Sequence, residues 1–400
     1  MFTINEPKKL LARFAIYLIL ARSFLIIPFI GLHLICDSKA LARFFKLVAP
    51  LAILIFIFAI YSLNQLNSFE NVIGHSRDML LTFMIFGFLS SIPQRMGGEF
   101  LAYTSVRNAA VVIAIGKIFI LILSSVFGIP LTVIIETISK VWNIQLMTLG
   151  VEDSVLTRLQ IPMDSILPFV FYVLVGQILI SKKNRLRNNF CLVLLLISLL
   201  LSFSRFFWGI SIGAIGLSLI FNANLSTKIY YAIVATVLGY LLYQFTPVGD
   251  MVSQVIETRF GANANVNSSS DIFRDMQLNA MRSRFLDNPI FGHGIGYFIP
   301  SLIRNSITPY LYELQTQSML MDLGIVGSTI FVLTLLIVIF GYCYNRVESR
   351  FINIALTLLF LGLWVLGGMY NPLLFGASGG IILFFCARHH AIIQHFKDEN

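Results

Sequence analysis

The chain has 400 residues, of which 57% are hydrophobic and 12% are charged, and its mean hydropathy is +0.84. Soluble domains have only about 45–50% apolar residues, so a soluble fold is excluded as the main architecture. The net charge of +9 would suit a nucleic-acid partner in a soluble protein. Here Lys and Arg lie mostly in short segments between apolar runs, as in membrane proteins, and we expect no nucleic acid.

Apolar runs long enough to cross a bilayer, roughly 20 residues each, recur along the chain. The runs are continuous rather than alternating, which predicts helices instead of a barrel. We therefore predict an all-α polytopic membrane protein with one integral domain over residues 1–400. The predicted spans are 43–63, 79–94, 107–128, 161–180, 190–204, 206–222, 229–247, 319–342, 351–369 and 374–387.

The N-terminal stretch 10–36 does not fit a single straight span, because basic residues flank both of its ends. Arg22 and Pro28 interrupt it, which indicates two short or re-entrant helices. With this stretch the chain is predicted to have 10–12 spans.

The basic segments predict one alternating topology, since Lys and Arg favour the cytoplasmic side. They are residues 181–189, residues 345–350, Arg95 with Arg107, and the tail from Arg388. This topology leaves two long segments on the other side of the membrane, residues 129–160 and the larger loop 248–318. Chemistry is expected there.

The larger loop contains a predicted surface helix that starts at Ser270 or Asp271 and ends before Pro289. Residues 263–270 are predicted to be a flexible connector in front of it. Its apolar side is expected to lie on the membrane and consists of Ile272, Phe273, Met276, Ala280 and Phe285.

Several arginines are expected at headgroup depth on this side: Arg205 between two apolar segments, Arg158, Arg274, Arg282 and Arg284. A guanidinium near lipid is costly unless it is paired or functional. Each one alone could instead bind anionic lipid or anchor a turn. Together they predict a cationic cluster.

A diphosphate is the natural ligand of such a cluster, because the guanidinium grips phosphate with two donors and stays charged. On this face the expected substrate is a sugar linked to a polyprenyl diphosphate. The chain has no carboxylate pair, P-loop or metal-ligand run, so neither a metal nor a cofactor is predicted. The cysteines have no paired spacing.

Residues 150–345 resemble the bacterial O-antigen polymerase and O-antigen ligase superfamily. The resemblance is carried by SRFFWG, by FRDMQLNAMRSRFLDNPIFGHGIGYF after RFG in the long loop, and by YELQTQSMLMDLGIVGS at the next span. The family motifs transfer onto Arg205, Arg274, Asn288 with Pro289, Gly294 with Gly296, and Gly324 with Gly327.

The resemblance implies a GT-C-like glycosyltransferase of the bacterial inner membrane whose active site faces the periplasm. Its substrate would be an undecaprenyl-diphosphate-linked oligosaccharide. Membrane lipids would surround the protein, and whether a chain-length regulator also binds to it is left open. Arg205 and Arg274 would clamp the diphosphate. Apart from the resemblance, Arg158 and Arg282 are predicted to support this clamp or guide the acceptor. Arg259 and His293 are further candidate substrate contacts, although His293 is favoured as a structural or solvent-facing histidine.

Ligases of this superfamily carry a His-Asn-type pair about eleven residues before the glycine pair, where this chain has Glu313 and Leu314. This difference favours the polymerase, with Glu313 as general base or acceptor-binding carboxylate. Glu313 could instead pair with an arginine. A ligase, a lipid-linked oligosaccharide transporter and a structural scaffold stay as alternatives.

Lys117 and Asp322, both within predicted spans, each have more than one candidate role. Lys117 is the most deeply placed ionisable residue and could bind phosphate, snorkel to the interface, or pair with a carboxylate. Asp322 could be functional or structural.

Overall fold

The computed structural model describes residues 5–21, 25–131, 159–181, 183–202, 204–230, 265–303, 308–343, 351–372 and 374–398, with six isolated positions between them. The described part is helical and contains no strand, which confirms the all-α prediction. Its helices are α1 (Asn5–Leu20), α2 (Ile26–Ile35), α3 (Ser38–Asn64), α4 (Phe69–Ser91), α5 (Gly98–Phe127), α6 (Leu167–Ile180), α7 (Arg185–Leu201), α8 (Arg205–Asn222), α9 (Asn265–Asp287), α10 (Gln315–Tyr342), α11 (Phe351–Gly367) and α12 (Ala377–Asp398).

Six described segments are long and apolar enough to cross a membrane: Ser38–Asn64, Phe69–Ser91, Gly98–Ser124, Pro162–Ile180, Arg205–Asn222 and Gln315–Tyr342. The chain is therefore a multi-pass membrane protein. The other helices are shorter or more polar, and most of the predicted span 229–247 lies outside the described residues. The expected number of 10–12 spans stays a prediction.

The centre of the bundle is α6 with the short 3-10 helix Pro162–Ile166 before it, because 89% of that span is buried in protein. Helices α8 and α12 pack on α6, α12 also packs on α4, and α4 packs on α3. The span in α8 is only 22% buried, so α8 presents most of its surface to lipid.

The N-terminal stretch forms two short helices, α1 and α2, as the basic flanks indicated. The Nζ of Lys8 donates to the carbonyl of Cys36 at 2.7 Å, so both ends of the pair lie at one end of the bundle. Pro28 does not interrupt the chain. It lies in the first turn of α2, where a missing N–H is tolerated.

Local signals explain several helix ends. The Asp37 side chain accepts from the N–H groups of Lys39 and Ala40 at the start of α3. Ser204 accepts from the N–H of Phe207 at the start of α8. Gly128 ends α5 with φ 62°, a left-handed conformation that suits glycine.

The predicted start of the surface helix was wrong. Helix α9 begins at Asn265, so Ser270 and Asp271 lie within the helix and part of the predicted connector is helical. Helix α4 also begins ten residues before the predicted span 79–94, at Phe69. Its extra polar turns carry His75 and Asp78, which pair with other polar groups rather than with lipid.

Contacts between loops define two ends of the bundle. Arg107 in α5 contacts Asn188 in α7, and Arg388 in α12 contacts the Cys343 carbonyl and Glu99, so the described parts of three predicted cytoplasmic segments meet at one end. We call the opposite end the polar end. It contains the ends of α3 and α11, the starts of α4, α8 and α10, and residues 287–299, 308–316 and 368–376.

Candidate functional site

An ion pair between Arg274 and Glu313 joins α9 to the segment before α10. Arg274 Nε donates to Glu313 Oε2 at 3.0 Å. The two side chains are 29% and 13% exposed, so solvent reaches the pair but screens it only in part. The structure thus brings together two of the three residues predicted to be catalytic.

Packing on both sides positions this pair. On α9, Gln277 and Met281 are buried, and they share a helix face with Arg274 because they follow it by three and seven residues. The hydroxyl of Tyr312, next to Glu313, accepts from the N–H of Ile299 at 2.6 Å. A small buried cluster surrounds this contact and consists of Met281, Ile299, Leu302, Tyr312, Leu314 and Met321.

Arg205 is exposed at the start of α8, and the contacts of its neighbours place it at the same end of the bundle. The ring of Phe206 lies 5.2 Å from that of Tyr370. Two residues before Tyr370, the carbonyl of Gly368 accepts from the N–H of Thr316 at 3.1 Å. Thr316 follows Glu313 by three residues.

Arg282 is exposed on α9, whereas Arg158 and Arg259 lie outside the described residues. The convergence of these arginines into one cluster therefore stays a prediction.

The segment DNPIFGHGIG docks against a break in α10. At Gly324 the helix has φ 64° and ψ −171°, which breaks its hydrogen-bond ladder. The N–H groups of His293 and Gly294 donate to the carbonyls of Met321 and Asp322. On the other side of the break, the N–H groups of Ile325 and Val326 donate to the carbonyls of Pro289 and Ile290, at 2.9 and 3.0 Å.

This exchange has a physical cause. A break in a membrane-embedded helix is tolerated where other groups replace the lost backbone bonds. Two of the stretches on which the resemblance rests therefore form the two halves of one contact. They are residues 288–296 and the glycine pair Gly324 with Gly327. We call this contact the loop lock. It consists of residues 289–296 and 321–326.

Glycines in the lock are required by space as well as by conformation. A Cβ on Gly292 would lie 2.4 Å from the Asp322 carbonyl oxygen, and one on Gly296 would lie 2.7 Å from the backbone of Asn71 and Val72. All three glycines of the segment have positive φ, at 69°, 88° and 80°. Side chains are excluded here because backbone meets backbone.

His293 is held within the lock. Its Nε2 lies 2.6 Å from the carbonyl oxygen of Arg284, and its ring stacks on Tyr297 at 4.5 Å. These contacts support the structural alternative. Contact with substrate stays a prediction.

A second polar cluster was missed in the sequence. His75 in α4 accepts from the N–H of Gly296 through Nδ1 at 3.1 Å, and the same atom lies 3.5 Å from Oδ2 of the buried Asp322. Its ring stacks on Tyr310 at 5.2 Å. The Tyr310 hydroxyl donates to Asp78 Oδ2 at 3.4 Å. The polar run FENVIGHSRD before the predicted span was the available signal.

Two tyrosines in this region remain neutral. Burial, with the nearby Asp78 carboxylate, raises the pKa of Tyr310 to about 12. Burial also raises the pKa of Tyr312 to about 12. Both phenols therefore act as hydrogen-bonding groups and not as bases at neutral pH.

Lys117 pairs with a carboxylate, one of the three roles left open for it. Its Nζ lies 2.5 Å from Asp164 Oδ1, and both side chains are at most 4% exposed. Asp164 Oδ2 also accepts from the N–H of Ile161. This pair joins α5 to the 3-10 helix before α6, and both charges are compensated.

No family model matches the chain, and no curated protein matches it. Within the described residues, no group of three or more His, Cys, Asp or Glu side chains is placed to hold a metal ion.

Proposed function

We propose that this protein is a membrane glycosyltransferase of the O-antigen polymerase type. It transfers a growing glycan from undecaprenyl diphosphate onto the sugar end of another lipid-linked repeat unit, at the periplasmic face of the inner membrane. The observation that carries the proposal is the half-buried Arg274–Glu313 pair at the polar end of a membrane-embedded bundle. The order of sequence motifs that resembles the superfamily supports it.

The pair supplies the two groups that glycosyl transfer from a diphosphate needs. Arg274, with Arg205, stabilises the negative charge that develops on the leaving diphosphate. Arg158, Arg259 and Arg282 support this binding or guide the acceptor. Glu313 orients or deprotonates the acceptor hydroxyl.

The bonding changes balance without a further reagent. The acceptor hydroxyl oxygen bonds to carbon 1 of the donor sugar while the bond from that carbon to the diphosphate oxygen breaks. The hydroxyl proton passes to Glu313, and undecaprenyl diphosphate leaves with the bonding electron pair. Before substrate binds, Arg274 and Glu313 neutralise each other. The diphosphate competes for the guanidinium, which releases the carboxylate toward the hydroxyl.

A reaction with purified protein and only lipid-linked repeat units tests this function. We expect products lengthened by whole repeat units, seen as a ladder by gel or mass spectrometry. A protein that is inactive until lipid A core or another acceptor is added would be a ligase instead. In cells without the protein, single lipid-linked repeat units should accumulate.

A lipid-linked oligosaccharide transporter is the second candidate, because the break in α10 at Gly324 resembles the discontinuous helices at transporter binding sites. The two functions separate in detergent, where no compartments exist. Chain lengthening there supports the polymerase, whereas a transporter would leave the repeat units unchanged and move them only across intact vesicles.

A further inference from the structure

A large cavity is lined by residues that precede and follow Glu313 in the chain, although neither Glu313 nor Arg274 lines it. It has a volume of 720 Å³ and lies between α2, α4 and residues 372–377. Leu311 and Gln315 line it, and Glu313 lies between these two in the chain. A molecule in this cavity would therefore contact residues two positions before and two positions after the proposed base.

The walls of the cavity are amphipathic. The apolar part consists of Ile26, Ile27, Ile73, Leu80, Leu81, Met84 and Phe375. The polar part is formed by Gln315 and by Ser76, Arg77 and Asp78, which occupy consecutive positions of α4. A mostly apolar lining with a few polar groups is typical of binding sites for small molecules.

One polar group in the wall points to a ligand. Ser76 is 8% exposed, and its hydroxyl has no hydrogen-bond partner among the described residues. A buried hydroxyl without a partner costs free energy, so such groups are rare unless something else binds them. A ligand hydroxyl in the cavity would satisfy it.

The charges select the kind of ligand. Arg77 Nε and Nη2 both donate to Asp78 Oδ1, at 3.1 and 3.0 Å, so the positive charge on this wall is compensated. A second diphosphate would meet no net positive charge here. Neutral hydroxyl groups suit the wall better, because Ser76, Arg77 and Asp78 together offer both donors and acceptors.

We propose that this cavity binds the terminal sugar of the acceptor repeat unit, with Ser76, Arg77 and Asp78 bonding to its hydroxyl groups. This inference rests on the proposed function and deepens it. The apolar wall packs against the carbon face of the sugar. The α4 wall then determines which sugar presents its hydroxyl to Glu313, and it is a specificity-determining element of the reaction.

Three variants test the proposal: Ser76→Ala removes the unpartnered hydroxyl, Asp78→Asn removes the charge, and Leu81→Trp fills the cavity. Leu333→Trp is the matched control, because Leu333 is 53% exposed on α10 and does not line the cavity. The probe is the repeat-unit oligosaccharide freed of its lipid. Its binding to the purified full chain is followed by saturation-transfer NMR, and lengthening of lipid-linked units is followed in parallel.

We expect Ser76→Ala to raise the Kd for the oligosaccharide about threefold to tenfold, the size of one hydrogen bond. Asp78→Asn should raise it about tenfold, and Leu81→Trp should abolish binding, while Leu333→Trp binds like the wild type. Wild-type binding that none of the three cavity variants weakens would overturn the proposal, as would no binding at all to a wild-type protein that makes polymer. Failure of the wild type to lengthen lipid-linked units would overturn the proposed function instead.

Discussion

Arg274 and Glu313 show what a single side chain contributes at the polar end. The guanidinium has a planar fork of donors that an ammonium group cannot reproduce, and it already holds a carboxylate at 3.0 Å. The carboxylate lies between Tyr312 and Leu314, whose buried side chains fix its backbone. The role of Arg274 therefore depends on the shape of its charged group, and the role of Glu313 depends on where its backbone holds the carboxylate.

Replacement of Arg274 by Lys should lower kcat of repeat-unit transfer about 100-fold, since removal of one charge-stabilising donor from a transition state has an effect of this size. Arg388→Lys is the matched control, because Arg388 also pairs with a glutamate, Glu99, at 3.5 Å, and lies at the opposite end of the bundle. The rates are measured with purified proteins. A fully active Arg274→Lys enzyme would contradict bidentate binding of the diphosphate.

Glu313→Gln should lower kcat by roughly 100-fold or more, the usual size of a lost general base. The amide oxygen of Gln can still accept from Arg274, so this change separates proton transfer from packing. If the variant keeps wild-type rates, Glu313 only holds Arg274 in place.

At the scale of elements, the loop lock shows how a broken helix is stabilised within the bundle. Residues 289 and 290 supply acceptors to one half of α10, and residues 293 and 294 supply donors to the other half. Tyr61 and Asn67 at the end of α3 donate to the carbonyls of Gly292 and His293, which holds the loop from its opposite face. The lock thereby joins α3, α9 and α10.

Gly292→Ala should destabilise the protein much more than Gly128→Ala, although both residues have positive φ, 69° and 62°. Among the described residues, a Cβ on Gly128 meets no atom within 4 Å, so its cost is the backbone strain alone, about 1–2 kcal/mol. On Gly292 the clash with Asp322 adds to this cost. Thermal unfolding in detergent measures both. Equal Tm values for the two variants would show that the lock does not need close backbone contact.

The Lys117–Asp164 pair is expected to stabilise the junction of α5 with the 3-10 helix Pro162–Ile166. Lys117→Met leaves a buried carboxylate uncompensated and should cost about 3–5 kcal/mol of stability. The double variant Lys117→Met/Asp164→Asn should recover most of it, because the Asn oxygen can still accept from Ile161. Unfolding in detergent checks both variants. A stable Lys117→Met protein would argue against a structural role for the pair.

At the scale of the whole molecule, successive described loops lie alternately at the polar end and at the opposite end of the bundle. Leu66 is 92% exposed at the polar end, and Leu186 is 85% exposed at the opposite end. In a Cys36→Ser background, a membrane-impermeant thiol reagent should label Leu66→Cys in intact spheroplasts and Leu186→Cys only after permeabilisation. The reverse pattern would place the polar end in the cytoplasm and remove the proposed substrate from its reach.

The all-α membrane class, several helix positions and the grouping of the basic segments could all be predicted from the amino-acid sequence. They could be predicted because hydropathy and the distribution of Lys and Arg act locally, along each segment. The sequence also indicated Arg274 and Glu313 separately, and an ion pair was among the roles predicted for Glu313.

Which polar residues contact one another could be seen only in the folded chain. No sequence pattern marks His75, Asp78 and Tyr310 as neighbours. They form a polar cluster because α4 extends beyond its apolar run and packs against residues 292–296 and 310. The partner of Lys117 lies 47 residues away, and the two motifs of the loop lock are about thirty residues apart. Such pairings depend on how the helices pack, because burial leaves polar groups no partner except one another.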